Sequence, residues 1–122
     1  MKEAKFNPTG GPIQVSVKCE PNRNGSYTIF LWEAEKNQIV KEFSGNFINS
    51  DDDTYELSTP NGDHAGRLVE AMVVVAIPAG LGPSDVTLSI TQDGAELQHD
   101  GASVPPGSPG QLVDVFIKLV SK

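Results

Sequence analysis

The fold class is decided by residues 85–98, which read DVTLSITQDGAELQ. Apolar side chains alternate with threonine and serine from Val86 to Thr91, as in a strand that buries one face. The dipeptide Asp93-Gly94 follows, and it supplies the positive φ angles of a two-residue hairpin turn. Residues 95–98 then turn back into an extended segment. The stretch therefore predicts an antiparallel β-hairpin.

The same period-two alternation recurs along the rest of the chain, and no window carries a helical stripe. Segments rich in glycine, proline, asparagine and aspartate separate the alternating stretches and predict turns. The predicted strands are residues 14–19, 27–33, 39–47, 54–58, 68–77, 85–91, 95–98 and 112–120. They predict a single all-β domain over residues 1–122, an eight-stranded antiparallel β-sandwich with an irregular segment at residues 1–11. In outline this is a jelly-roll, C2-like or immunoglobulin-like sandwich, and a small barrel is the alternative.

Residues 68–77 are apolar on both faces and contain three consecutive valines, Val73 to Val75. This pattern predicts a central strand that is covered on both sides or crosses between the two sheets. A buried helix is the competing interpretation. Because β-branched side chains lose rotamer freedom in a helix, the valines favour the strand.

The composition is that of an acidic globular domain, with 122 residues, 38% hydrophobic residues and a formal net charge of −7. Between Glu42 and Ile117 the only basic side chain is Arg67. Such a surface repels phosphate backbones, so we expect no nucleic-acid binding. No apolar run approaches the roughly 18 residues of a membrane span, so we also expect no membrane insertion. The start of the chain carries no secretory signal, which predicts a cytoplasmic protein unless a leader has been removed.

Cys19 is the only cysteine, so the chain can form no internal disulfide and no multi-cysteine metal site. It ends the alternating set Ile13, Val15, Val17 and Cys19. We therefore expect the Cys19 side chain to be buried as a small hydrophobe rather than to act as a reactive thiol.

Acidic loops give a metal-site hypothesis. If successive strands alternate in direction, the connections after the first, third, fifth and seventh strands share one end of the sandwich. That end holds the predicted calcium ligands Asp51, Asp52, Asp53, Asp85 and Asp100. Calcium takes about six to eight oxygen ligands, many from carboxylates, and no other cofactor is predicted. In outline, a sandwich with acidic loops at one end resembles calcium-binding C2-type domains, although no sequence motif carries the resemblance. A solvated acidic loop without metal is the alternative.

The second predicted strand carries large apolar side chains on both faces. Tyr27, Ile29 and Leu31 share one face, and Phe30 and Trp32 lie on the other. A two-layer sandwich buries only one face of a strand, so Phe30 and Trp32 either lie under a loop or form an exposed platform. Such a platform suits a protein partner or the faces of sugar rings. Phe30 and Trp32 are therefore the predicted ligand or partner surface.

Few residues point to catalysis. The two histidines, His64 and His99, lie in predicted loops at opposite ends of the sandwich, so we expect them not to share a catalytic centre. No Gly-x-Ser-x-Gly pattern places a nucleophile. We therefore predict no enzyme, but a non-catalytic interaction or structural module for an unidentified protein or carbohydrate partner. A calcium-dependent binding module is the first alternative, and a small hydrolase with an unrecognised site is the second.

Edge strands raise a further hypothesis. The fourth and seventh predicted strands, residues 54–58 and 95–98, are the shortest and are the expected edges of the sheets. Because edge strands carry unpaired backbone groups, a homo-oligomer formed through them is a possible assembly.

Overall fold

The structure is a computed structural model that describes residues 1–48, 53–107 and 110–122. Two sheets form a sandwich-like fold that is not closed into a barrel, so the all-β prediction is confirmed and the barrel alternative is wrong. One sheet has five strands in the order β1-β9-β6-β3-β4, and the other has four in the order β5-β2-β7-β8. The strands of the described residues are β1 (Lys2–Phe6), β2 (Ile13–Glu20), β3 (Gly25–Glu33), β4 (Gln38–Asn46), β5 (Thr54–Glu56), β6 (Leu68–Val75), β7 (Ser84–Gln92), β8 (Ala95–Val104) and β9 (Gln111–Ser121). The described residues also form two short 3-10 helices between strands, η1 (Ala34–Lys36) and η2 (Asn61–His64).

The hairpin of β7 and β8 forms as its sequence predicts. The turn residues Asp93 and Gly94 both have positive φ angles, 53° and 77°. This is the backbone conformation that a tight two-residue turn requires. β8, however, runs on to Val104, so it is much longer than the predicted segment 95–98.

The expectation of an irregular segment at residues 1–11 is wrong for Lys2–Phe6, which forms β1. β1 pairs with β9 in parallel, so the sheets are not purely antiparallel. Ala4 and Phe6 are fully buried, whereas Lys5 between them is exposed. Only two inward positions mark this strand, which is too short an alternation to identify it, and its partner lies at the far end of the chain.

β6 is a central strand, paired with β3 on one side and β9 on the other, so the helix alternative is wrong. Its inward side chains, Val69, Ala71, Val73 and Val75, are fully buried in the core between the sheets. On the outer face Val74 is 43% exposed, so this face reaches solvent rather than lying wholly under another layer.

The sheet edges include both strands expected there. β5 and β8 lie at the two ends of the four-stranded sheet. Self-association through these edges stays a prediction, which light scattering tests. In the described ranges, no helix is long and apolar enough to cross a bilayer.

Gly101 lies where β8 approaches the backbone of β7 closely. A Cβ atom at this position would lie 2.5 Å from the carbonyl oxygen of Val86, a backbone atom that cannot rotate away. We expect Gly101→Ala to lower the free energy of unfolding by about 1–3 kcal/mol, as overpacking does. The matched control is Gly62→Ala, because a Cβ at Gly62 would meet nothing within 4 Å. Urea denaturation measures both variants, and equal stability of the two would contradict this close approach.

Candidate functional site

The candidate site lies on the outer face of the five-stranded sheet, where β3, β6 and β9 are neighbours. Their register aligns the outward residues in rows across the three strands. The rows are Trp32, Leu68 and Lys118; Phe30, Glu70 and Phe116; Thr28, Met72 and Asp114; and Ser26, Val74 and Leu112. Phe30 and Trp32 are half-buried, and they face away from the core side chains of β3, as the alternation predicts.

Trp32 is held in position by two neighbours on this face. Its indole Nε1 donates a hydrogen bond to Glu70 Oε1 at 2.9 Å. The rings of Phe30 and Trp32 have centroids 6.1 Å apart and planes tilted by 48°. Because the polar edge of the indole is already bonded to the sheet, the ring can offer a ligand an apolar face.

A depression of about 280 Å³ lies beside Trp32. Its lining residues are Trp32, Ala34, Asn37, Leu68, Glu70 and Phe116. The turn after η1 supplies Asn37, whose φ of 48° is in the left-handed region that asparagine tolerates well. The indole ring of Trp32, the carboxyl group of Glu70 and the amide group of Asn37 therefore line the same depression.

Glu70 is a buried carboxyl on an otherwise apolar strand, with 8% of its surface exposed. Burial raises the pKa of Glu70, and a hydrogen bond with the Asp114 carboxyl raises it further, while the hydrogen bond from Trp32 acts in the opposite direction. Glu70 and Asp114 lie on neighbouring strands one row apart, so their side chains meet diagonally. The pair therefore has both acceptor oxygens and a proton to donate when one member is protonated.

The raised pKa of Glu70 gives a stability prediction with a definite sign. The folded state holds the Glu70 proton to a higher pH than the unfolded chain does. The contribution of Glu70 to the free energy of unfolding is therefore fully present below the ordinary pKa of a glutamate carboxyl group. It is lost as the pH rises through the raised pKa of the folded state. Because glutamine does not titrate, we expect the unfolding free energy of Glu70→Gln not to fall in this way as the pH rises. The difference in unfolding free energy between wild type and variant across a pH series measures the effect.

The control for this series is Glu42→Gln, which removes an exposed carboxyl from β4 on the same sheet. Parallel curves of unfolding free energy against pH for wild type and Glu70→Gln would contradict the prediction. The loss of stability with rising pH would then not come from Glu70.

Phe30 and Trp32 on this face were predicted from the sequence as a ligand or partner surface, whereas Glu70, Asp114 and Phe116 were not. A signal was present: Glu70 is the one charged residue in the apolar segment 68–77, and an acid inside such a strand is costly unless it is bonded. The meeting of Glu70 with Asp114 could not be read from the chain, because it depends on the register between β6 and β9.

The predicted calcium ligands are not gathered at one point among the residues described. Asp53 accepts a hydrogen bond from the Tyr27 hydroxyl at 2.7 Å, and burial is the main cause that raises the pKa of Tyr27. Asp85, near the start of β7, accepts a hydrogen bond from Ser103. Asp100 lies within β8 rather than in a loop, 3.7 Å from the Lys2 ammonium nitrogen. The prediction that Asp100 lies in a loop at the same end as Asp53 and Asp85 was therefore wrong, because β8 continues past Asp100.

Asp51 and Asp52 lie outside the described residues. Within the ranges that the structure describes, no group of three or more histidine, cysteine, aspartate or glutamate side chains could hold a metal ion. Calcium binding stays a prediction, which the melting temperature in a calcium titration tests.

The two histidines lie in different surroundings. His64 is buried at the end of η2, where its ring contacts the Ser58 carbonyl and Arg67. His99 lies on β8, with Nδ1 3.1 Å from Glu96 Oε2, and both side chains are about half exposed. Neither histidine has a serine or cysteine nucleophile among its hydrogen-bond partners in the described chain.

Cys19 is buried, as its place in the alternating set predicts. Burial raises the pKa of its thiol, and the charges of Asp85 and Glu20 act in the same direction. Because the thiolate is the reactive form, we expect Cys19 to react with Ellman's reagent far more slowly in the native protein than in urea. Equal rates in the two conditions would contradict the burial of Cys19.

Comparison with protein-family models, with curated proteins and with solved structures found no match for this chain. The class that fold and site define is a sandwich-like β-domain with a half-buried aromatic site on an outer sheet face.

Proposed function

We propose that this protein is a non-catalytic binding module that binds a neutral glycan on the outer face of its five-stranded sheet. The observation that carries the proposal is the depression beside Trp32, where an aromatic ring and the Glu70 carboxyl line one space. Aromatic rings pack against the apolar faces of sugars, and carboxyl oxygens accept hydrogen bonds from hydroxyl groups. Both features therefore suit the same class of ligand.

The size of the depression and its charge narrow that class. At about 280 Å³ it lies just below the roughly 300 Å³ lower limit of drug-sized pockets, so it fits about one ring. Further rings of an oligosaccharide would lie along the row of Phe30, Glu70 and Phe116. The acidic side chains Glu70, Asp114 and Glu42 outnumber Lys118 around this row, which disfavours sulfated or uronic-acid glycans.

The arrangement of the two carboxyl groups supports binding without hydrolysis. Glycosidases hold their catalytic carboxyl groups roughly 5 Å or more apart, so that the anomeric carbon or a water fits between them. Asp114 lies one row from Glu70 on the neighbouring strand and raises the pKa of Glu70, so the two carboxyl groups form a close pair. The pair is therefore better suited to hold sugar hydroxyls than to cleave a glycosidic bond.

The experiment is a titration with cellohexaose, xylohexaose, chitohexaose and maltohexaose. Fluorescence of the single tryptophan, Trp32, reports binding, and an assay for new reducing ends reports hydrolysis. We expect a saturable fluorescence change with at least one of the four sugars and no new reducing ends. A flat response to all four would contradict glycan binding, and new reducing ends would contradict the non-catalytic role.

A protein partner is the second candidate, because the apolar surface continues beyond the depression. Val74 and Leu112 are paired in register at the other end of this face and are 43% and 52% exposed. Apolar patches with a polar surround are typical of the centres of protein interfaces. Leu112→Ala should weaken a protein complex on this face and leave glycan binding unchanged, because Leu112 lies two rows from Phe116.

A further inference from the structure

A separate cleft opens between the two sheets, on the side where the edge strands β4 and β5 flank it. Its volume is about 770 Å³, within the roughly 300–1,000 Å³ range of small-molecule sites. β5 has three residues and β4 has nine, so the shorter edge strand covers only part of the longer one. The space between the sheets is therefore open to solvent along this side.

Apolar side chains form one part of the cleft lining, beside polar and charged ones. Leu31 and Leu57 are core residues, 3% and 4% exposed, that also line the cleft. Val40 and Phe43 line it from β4, and the Phe43 ring stacks on Tyr55 with centroids 4.6 Å apart. An apolar group of a ligand can therefore contact the core directly.

Arg67 reaches the cleft as the one basic side chain between Glu42 and Ile117. Its side chain is only 15% exposed, and its Nε donates to Glu33 Oε2 at 3.0 Å. Its Nη1 donates to His64 Nδ1 at 3.0 Å, while His64 Nε2 is 2.6 Å from the Ser58 carbonyl oxygen. Because a carbonyl only accepts, these two contacts define the neutral His64 tautomer with its proton on Nε2.

The hydrogen bonds to Glu33 and His64 leave some N–H donors of the Arg67 guanidinium group without a partner in the described part of the chain. Arginine has five N–H donors, and the two bonds to Glu33 and His64 use two of them. Nη2 makes no hydrogen bond within the described part of the chain. A fixed, largely buried guanidinium with free donors beside an open cleft is well suited to bind a carboxylate.

Two further charges lie at the cleft. The exposed Lys41 supplies a second cation, with its ammonium nitrogen 5.7 Å from the centre of the Phe43 ring. The exposed Glu56 lines the cleft from β5 and opposes an anion there. Since Glu33 is already paired with Arg67, Lys41 and the free face of Arg67 are the groups that favour a negative charge.

We propose that this cleft binds a small amphipathic carboxylate, with its apolar body against Leu31, Phe43 and Leu57 and its carboxylate near Arg67 and Lys41. This site is independent of the glycan site, because it lies between the sheets rather than on the outer face. The ligand class follows from the combination of apolar walls and free cationic donors.

The experiment titrates the full chain with decanoate and, as the uncharged match, with decanol. Melting temperature and NMR chemical shifts report binding, and a ligand of the native state must raise the melting temperature. We expect saturable decanoate binding that moves the signals of Leu31, Phe43 and Leu57 and leaves the Trp32 indole signal still. Decanol should bind at least about tenfold more weakly, because it lacks the charge-assisted hydrogen bonds.

Variants separate the parts of the site. Arg67→Lys should weaken decanoate binding about tenfold, because it keeps the charge but loses the forked donors. Lys41→Met should weaken it by up to about fivefold, and Glu56→Gln should strengthen it about twofold, in line with exposed charge interactions. Lys41 and Glu56 are exposed, so Lys41→Met and Glu56→Gln should fold normally even if Arg67→Lys does not fold. The control is Lys36→Met in η1, which should bind as wild type does.

Three results would overturn the proposal. One is the absence of saturable decanoate binding at millimolar concentration. Another is equal affinity for decanol, which would make the cleft a purely apolar site. The third is movement of the Trp32 indole signal in place of the signals from Leu31, Phe43 and Leu57, which would assign the ligand to the outer face.

Discussion

Replacing Phe6 by alanine is expected to lower the free energy of unfolding by about 3–5 kcal/mol, the usual cost of emptying a fully buried phenylalanine position. The Phe6 side chain is completely buried at the end of β1. The strand is anchored by its parallel ladder to β9, and the backbone N–H of Lys122 donates to the Phe6 carbonyl at 2.9 Å. Loss of the ring therefore removes packing from the core itself rather than from a loose terminus. Urea denaturation followed by far-UV circular dichroism measures the change.

The control is Lys5→Ala, one residue earlier on the exposed side of the same strand. It should change the free energy of unfolding by no more than about 0.5 kcal/mol, as surface substitutions usually do. If Phe6→Ala were as mild as Lys5→Ala, β1 would not be an integral strand of the sandwich.

Replacing Trp32 by alanine is expected to abolish most glycan affinity. Truncation of a central aromatic anchor costs about 2 kcal/mol or more, which corresponds to about thirtyfold or more in Kd. The reason is that Trp32 supplies a ring to the depression and also donates the hydrogen bond that helps to hold Glu70. Isothermal titration calorimetry with the hexasaccharide that wild type binds best measures the loss.

Two variants make this result specific. Trp32→Phe keeps a ring but loses the indole N–H, so it should bind better than Trp32→Ala. Leu112→Ala removes an exposed apolar side chain from the same face and should bind as wild type does. Glycan affinity that survives in Trp32→Ala, with the variant folded by circular dichroism, would exclude the depression as the binding site.

Local patterns in the chain were sufficient for much of this fold. The hairpin around Asp93 and Gly94 depends on neighbouring residues alone, so alternation and turn chemistry predict it. The burial of Cys19 follows in the same way from its place in an alternating strand. The two faces of β3 were also readable, which is why Phe30 and Trp32 could be assigned to the face opposite the core.

Features that depend on distant pairings could not be read in this way. β1 has only Ala4 and Phe6 as inward positions, and its pairing with β9 joins the two ends of the chain. Asp100 was assigned to a loop together with the proline- and glycine-rich residues that follow it, but β8 continues to Val104, and an edge strand with a solvated face tolerates polar residues. The Glu70 and Asp114 pair arises from strand register, which alternation does not determine.

The most direct test of the outer-face site uses the one indole N–H that the chain contains. Titration of the nitrogen-15-labelled protein with cellohexaose, xylohexaose, chitohexaose and maltohexaose follows this Trp32 signal together with the backbone amides. The account predicts that at least one sugar shifts the Trp32 indole signal to saturation, along with amides of Phe30, Glu70 and Phe116. A Trp32 signal that stays fixed through all four titrations would contradict it.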